Sequence, residues 1–232
     1  MMRVVVTGGT GGLGRAVVLK LLSSSDRVAV PFRNEWAFQE LRNSARDAES
    51  LWGAPADLSD AASAQRFFDA AAERFGGLDG LAALAGGYAG AGRLESAPAS
   101  ELDDMLRINL LTVSTSCRAA LPHLLAQGGS VVTVSSRLAE AGAPGAAAYA
   151  AAKAAVLSLT RSLAAENRGR GVRFNCIVPS TIDTPANRQA MPKADASKWT
   201  SPEAIAGVIQ FLLSSEASAV TGAAIPVDGE TA

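Results

Sequence analysis

The chain is poor in several residue types that would otherwise decide its chemistry. It has one histidine, His123, and two cysteines, Cys117 and Cys176, far apart along the sequence. That spacing gives neither a disulfide framework nor a C-x-x-C zinc site, and a single imidazole makes no histidine cluster. No metal is expected, and His123 is expected on a helix surface. Charge is balanced, with 21 Lys and Arg against 22 Asp and Glu for a net charge of −1. There is no basic block and no acidic tail, so nothing points to nucleic acid or another polyanion as partner. No apolar run reaches the length of a membrane span, and the opening run, residues 3–6, is too short for a signal peptide. The expectation is a soluble cytoplasmic protein with no membrane partner.

What is present is a regular alternation. The 232 residues, 48% of them hydrophobic, suffice to bury a large core without staples. Strand-like apolar runs occur at 3–7, 27–32, 51–56, 78–85, 130–135, 172–178 and 224–227. Helical patterns lie between them, for example at 60–75, 100–125, 147–167 and 201–213. Most strand runs are continuously apolar rather than alternating, as expected when both faces are covered. Strand–helix alternation of this kind predicts an α/β fold: a seven-stranded parallel sheet with right-handed crossovers and helices on both faces. No linker or composition break divides residues 1–232, so one domain is expected. The Ala-rich stretch 143–155 reads as a closely packed helix, since Ala has the best helix propensity.

The first strand runs directly into Thr7-Gly8-Gly9-Thr10-Gly11-Gly12-Leu13-Gly14, after which helical periodicity resumes through Ala16, Val17, Val18, Leu21 and Leu22. Glycines let the turn reach positive φ and bring backbone N–H groups close to a ligand. A helix N-terminus adds unpaired donors and a positive dipole end. Strand, glycine turn and helix in that order form an anion site suited to a pyrophosphate.

The end of the second strand bears on which dinucleotide would bind. An acidic residue there accepts from a ribose 2′-hydroxyl, whereas an Arg accommodates a 2′-phosphate. Here Phe32 takes the acidic position and Arg33 follows. Arg33 is either a phosphate fork or a solvated surface residue, and the first reading predicts NADP(H) over NAD(H). Asp57-Leu58 closes the third strand. Asp57 would either accept from an adenine amino group or start the next helix.

Tyr149 and Lys153 lie four apart in a helical pattern and therefore share a face. A nearby ammonium favours a phenolate, which would lower the Tyr149 pKa and suit it to proton transfer with a carbonyl or alcohol oxygen. Ser135-Ser136 ends the fifth strand, where ligands bind in open α/β sheets. Asn109 interrupts the apolar helical stretch 102–113, and a polar residue so placed is either exposed or hydrogen-bonded.

Taken together, these motifs resemble the compact, single-domain short-chain dehydrogenases/reductases over essentially the whole chain. They are Thr7-Gly-x-x-x-Gly12-x-Gly14, Asp57, Asn109, Ser136, Tyr149-x-x-x-Lys153 and Asn175-x-x-x-Pro179. Ser136 is preferred over Ser135 because that family places its Ser thirteen residues before the Tyr. The resemblance implies a Rossmann-type doubly wound sheet. It implies Tyr149 as general acid/base, Lys153 as ligand of the nicotinamide ribose, Ser136 as holder of the substrate oxygen and Asn109 as holder of a relay water. It also implies cofactor contacts from Thr7, Gly8, Thr10, Gly12, Leu13, Gly14, Arg33, Asp57, Leu58, Ala85, Gly86, Tyr149, Lys153, Pro179 and Thr184. Substrate contacts would come from Ser136, Tyr88 and Tyr149, and the subunits would form a homodimer or homotetramer. Length sets aside the family's extended branch. The family's Asn-Asn-Ala-Gly is Ala83-Leu84-Ala85-Gly86 here, which alters that strand's usual contacts.

Two stretches, 85–90 and 183–199, are locally similar to quinonoid dihydropteridine reductase. That branch typically uses NADH and lacks the Ser and Asn of the common set, whereas this chain has Arg33, Ser136 and Asn109. The expectation is therefore an NADP(H)-dependent oxidoreductase acting on a small carbonyl or alcohol. Dihydropterin reduction is the alternative, and a non-catalytic NADP(H)-binding sensor or scaffold is the alternative of another class.

Overall fold

The computed structural model describes residues 1–90 and 92–229. Its elements follow the alternation read from the sequence. They are β1 (Arg3–Thr7), α1 (Gly12–Ser23), β2 (Arg27–Phe32), α2 (Glu35–Ser44), β3 (Leu51–Pro55), α3 (Ala61–Phe75) and β4 (Gly80–Ala83). The chain continues with α4 (Glu101–Met105), a π-helical stretch (Leu106–Leu111), α5 (Thr112–Gln127), β5 (Gly129–Val134), α6 (Leu138–Ala141) and α7 (Ala147–Glu166). It closes with β6 (Val172–Pro179), α8 (Pro185–Ala190), α9 (Pro202–Leu213) and β7 (Ala224–Val227). The seven strands form one parallel sheet in the order β3-β2-β1-β4-β5-β6-β7.

Successive side chains of a strand point to opposite faces. Val4 and Val6 enter one core cluster with α1 and α9, while Val5 between them enters the other with α3 and α5. Val132 and Val131 divide in the same way. Both faces are therefore apolar, which is why β1 and β5 read as unbroken hydrophobic runs. Phe68, Phe174, Leu81 and Leu124 fill the second cluster without exposure. Each such side chain contributes about 1.5–3 kcal/mol by leaving water.

Element boundaries show where local signals compete. β4 is four residues, shorter than the apolar stretch 78–85, because Ala85 and Gly86 turn out of the sheet. The predicted helix 100–125 is real, but it is interrupted by the π-helical stretch. Its far end carries His123, which bonds Asp69 of α3 at 2.8 Å and so links two helices. The segment after β6 holds α8 and a short 3-10 turn at Ala196–Lys198. Ser201 caps α9 by accepting from the Ala204 amide at 3.1 Å, with Pro202 opening the helix.

The glycine turn is fixed by contact rather than by freedom alone. Gly8 sits at φ 67°, and a Cβ on Gly14 would lie 2.0 Å from the Gly8 carbonyl oxygen. Gly14→Ala is expected to destabilise the protein by about 3 kcal/mol or more, because backbone must move to admit the methyl. Gly76→Ala, where a Cβ meets nothing within 4 Å but φ is 74°, is expected to cost only about 1 kcal/mol. Thermal unfolding of the two variants side by side checks the difference.

Candidate active site

The strand order reverses between β1 and β4, whose ends pair as Thr7 with Ala83. Loops leaving the carboxyl ends of neighbouring strands diverge there and open a crevice. On one side lies the glycine turn, with Gly11 preceding α1 and offering no side chain to cap it. On the other lies the segment after β6. A Cβ on Gly12 would come within 2.8 Å of Thr184 Cγ2, so Thr184 stands directly over the start of α1. Bare helix amides beneath a hydroxyl-bearing lid are a donor set that fits the pyrophosphate of a dinucleotide. Thr10 and Leu13 are half-buried beside it, and Pro179 is buried at the end of β6.

Several residues assigned to the cofactor work from behind the crevice. Thr7 is buried, and its hydroxyl accepts from the Ala85 amide at 3.1 Å, fixing the exit of β4. Leu58 packs in the core with 8% exposure, and its carbonyl accepts from Thr115 Oγ1. Asp57 is not the helix-start residue, since Asp60 caps α3 through the Ser63 amide at 2.6 Å. Asp57 instead accepts from the Ser59 amide and hydroxyl at 2.8 and 2.7 Å. Those bonds hold its carboxyl below the usual range, and the charges of Arg33 and Arg107 act in the same direction. Arg33 is exposed at the end of β2. Arg107 has no motif of its own and was not singled out by sequence.

The proposed proton-transfer group assembles where β5, the π-helical stretch and α7 meet. Lys153 is 6% exposed, and its ammonium donates to the Val134 carbonyl at 3.1 Å. Burial pulls its pKa down to about 8. Its Nζ lies 5.8 Å from the centre of the Tyr149 ring. Ser135 donates to the Lys153 carbonyl at 2.8 Å and is buried, whereas Ser136 accepts from the Leu138 amide at 3.3 Å and lies near enough to Tyr149 to act on its pKa. The structure thus brings Ser136, and not Ser135, to the Tyr. The expected lowering of the Tyr149 pKa is overturned. Desolvation raises it, because Tyr149 is largely enclosed; Ser136 partly offsets the rise and Tyr88 adds to it.

Asn109 is fully buried and clamps a neighbouring loop. Its amide donates to the carbonyls of Gly87 at 3.0 Å and Met105 at 3.1 Å, and its Oδ1 accepts from the Gly87 amide at 3.2 Å. The bond to Met105 takes a carbonyl inside the helix, where the ladder shifts to π geometry. Such bulges recur at functional sites. In this stretch, which lacks the Asn pair, Thr7 holds Ala85 and Asn109 holds Gly87. A Cβ on Gly86 would lie 2.6 Å from Asn109 Oδ1 and 3.4 Å from Lys153 Nζ, so this glycine keeps open a gap between them. The clamp on Gly87 left no trace in sequence beyond a polar residue within an apolar stretch.

A parallel doubly wound sheet with a dinucleotide crevice beside a Ser–Tyr–Lys cluster defines a class of nicotinamide-dependent oxidoreductases. The family described as enoyl-(acyl carrier protein) reductase matches residues 8–229. The 2-(R)-hydroxypropyl-CoM dehydrogenase of Xanthobacter autotrophicus is 32% identical over 243 residues, covering 97% of this chain and 96% of that protein. The cis-4-hydroxycyclohexanecarboxylate dehydrogenase of Sinomonas cyclohexanicum is 36% identical over 241 residues, covering 97% and 94%. Among solved structures, levodione reductase superposes with a TM-score of 0.87 at 33% identity over 97% of this chain and 95% of that one. ElxO with NADP bound gives 0.91 at 25% identity over 100% and 99%. The chain belongs to the short-chain dehydrogenase/reductase family and is an oxidoreductase.

Lys153 carries a measurable stability signature. A lysine whose folded pKa lies below its unfolded value binds fewer protons when folded, so stability rises with pH between about 8 and the unfolded value. Below that window the buried charge costs on the order of 3 kcal/mol. Lys153→Met is expected to raise the melting temperature at pH 7. The gain should shrink steadily towards pH 10.5, as read by thermal melts across that range.

Proposed function

We propose that this protein is an NADP(H)-dependent oxidoreductase that interconverts a small carbonyl compound and its alcohol. The observation that carries this reading is the grouping of Ser136 with Tyr149 beside the buried Lys153, whose Nζ lies 5.8 Å from the Tyr149 ring centre. Dihydropterin reduction without that set is disfavoured for the same reason. Relatives named as dehydrogenases and reductases of hydroxy compounds and ketones support the reaction class, and the neighbour with NADP bound supports a nicotinamide cofactor.

The cofactor, once bound, supplies or accepts the hydride. Gly8, Thr10, Gly12, Leu13 and Gly14 would hold its pyrophosphate beneath Thr184. Ala85, Gly86 and Pro179 would border the nicotinamide half, and Lys153 would bind the adjoining ribose. Arg33 would receive a 2′-phosphate, with Asp57 at the adenine. Ser136 would hold the substrate oxygen by a hydrogen bond. Tyr149 would give its phenolic proton to that oxygen in reduction and take it back in oxidation. Because burial keeps Tyr149 neutral, the reductive direction starts with the proton already in place. Asn109, Lys153 and a water in the gap over Gly86 would return the proton from solvent. We assign the protein to the cytoplasm and to a homodimer or homotetramer.

Tyr149→Phe is expected to lower kcat for ketone reduction with NADPH by about a thousandfold or more, since the proton donor is lost. Cofactor affinity should change less than threefold when titrated directly. Undiminished turnover in that variant would leave the role to another group. Arg33→Ala is expected to reduce the ratio of kcat/KM for NADPH over NADH by about tenfold or more, the loss of a charge-assisted phosphate contact. An unchanged ratio would place the discrimination elsewhere.

A further inference from the structure

Ser136 lies in a turn that its own strand does not hold. β5 ends at Val134, before Ser136 is reached. The Ser135 amide donates to the Ile177 carbonyl at 2.9 Å and the Arg137 amide to the Pro179 carbonyl at 3.0 Å, so the backbone leans on the end of β6. The Ser136 hydroxyl itself has only a long bond, accepted from the Leu138 amide at 3.3 Å. α6, which follows at once, has four residues and none of them is buried. Apolar packing therefore does little to fix this turn.

The Arg137 side chain makes a longer reach. It meets Glu140 at 2.6 Å within its own turn and Asp228 at 3.3 Å. Asp228 directly follows β7, and its side chain is 10% exposed against 41% for Arg137. The second contact thus joins the turn after β5 to the end of β7, with β6 between them. That strand end is itself held: the Asp228 carbonyl accepts from Ser180 Oγ at 3.1 Å and the Val227 carbonyl from Thr200 Oγ1 at 3.3 Å. Thr200 bonds through its amide to the Thr181 carbonyl at 3.1 Å and through its carbonyl to the Asp183 amide at 2.9 Å. Ser136 and the segment leading to Thr184 are therefore tied to one strand end. A half-exposed ion pair adds little to global stability, so its consequence is geometric.

We propose that Arg137 is a positioning residue that, through Asp228, holds the turn after β5 so that the Ser136 hydroxyl stays beside Tyr149. This rests on the carbonyl-reduction reading, in which Ser136 holds the substrate oxygen. Arg137 acts through Ser136 and takes no part in proton transfer. The contact with Glu140 is local to the turn and ties it to nothing else, so the pair that matters is the one across to β7.

The test follows NADPH oxidation with cyclohexanone, 2-hexanone and 2,3-butanedione, using the ketone that wild type reduces fastest. Arg137→Ala and Asp228→Asn should each lower kcat about tenfold, because a displaced hydrogen-bonding group costs rate steeply. KM for NADPH should stay within about twofold and the melting temperature within about 2 °C. The double variant should lose no more than about twofold beyond either single one, since one contact is lost only once. Arg137→Lys should recover kcat to within about threefold of wild type, and Glu140→Gln should change it less than about twofold. Unchanged kcat in Arg137→Ala, losses that multiply in the double variant, or a KM for NADPH that rises in step with the fall in kcat would overturn the proposal. Hydrogen exchange reads the same turn without turnover. The Leu138 amide, which donates to Ser136, should exchange about tenfold faster in Arg137→Ala while the amides of β5 keep their wild-type rates. Equal exchange at Leu138 refutes the proposal. If wild type reduces none of the three ketones, the carbonyl-reduction reading falls, and exchange at Leu138 alone decides for Arg137.

Discussion

The arrangement depends on one topological constraint, the passage of the chain from the outer strand β3 back across to β4 beside β1. Parallel strands all deliver their carboxyl ends to the same edge of the sheet. The glycine turn after β1, Arg33 after β2, Asp57 after β3, Ala85 and Gly86 after β4, and Ser135 and Ser136 after β5 therefore meet along one rim. Thr184 joins them from beyond β6. The reversal between β1 and β4 separates the loops just where Gly8 lies 3.0 Å, by its missing Cβ, from the Ala85 backbone. Any bulk at Gly8 or Gly14 would force that seam apart. Covering both faces with helices is what makes such a sheet stable, so the core and the crevice follow from the same choice of continuous apolar strands.

The rim is tied together by polar groups buried at some expense in free energy. Asn109 loses hydration entirely and recovers it through Gly87 and Met105. Leaving any of those partners unmatched would cost about 1–3 kcal/mol. In exchange, the helix carrying Asn109 and the loop carrying Tyr88 become one unit, and the π-helical turn is the local distortion that lets the Asn amide reach both carbonyls. Lys153 is similarly confined by Val134, while Ser135 holds its backbone from the same strand. A single strand end, 134–136, thus positions the Lys through two hydrogen bonds and brings Ser136 beside the Tyr.

Much of this was legible because it is local or periodic. The strands were visible since two covered faces leave no polar alternation, as in Val4, Val5 and Val6. The glycine turn was visible since Gly14 stands where backbone packs on backbone. Ser136 was chosen over its neighbour by family spacing, and only the structure shows why: Ser135 is turned inward to the Lys153 carbonyl. What sequence could not convey was long-range or environmental. Thr7 and Leu58 share motifs with the crevice, yet their side chains face Ala85 and the core. Arg107 approaches Asp57 only through the packing of distant elements. The Tyr–Lys spacing correctly placed two groups on one helix face, but spacing carries no dielectric, and desolvation reversed the expected direction for Tyr149.

That reversal changes how the pair is understood. A phenol raised by burial stays protonated at neutral pH, and a lysine lowered to about 8 remains mostly charged there while holding its proton loosely. The phenol is therefore not pre-ionised for alcohol oxidation. For the carbonyl reduction proposed above, the phenol already carries the proton it would give. Oxidation would require the phenolate to form, and the nearest charge able to stabilise it is the ammonium 5.8 Å from the ring centre. Loss of the Lys153 proton would remove that support. On the proposed mechanism, the same burial that destabilises the lysine would couple the two directions to pH in opposite senses: rising pH would support oxidation only until Lys153 discharges, and falling pH would keep both protons in place for reduction.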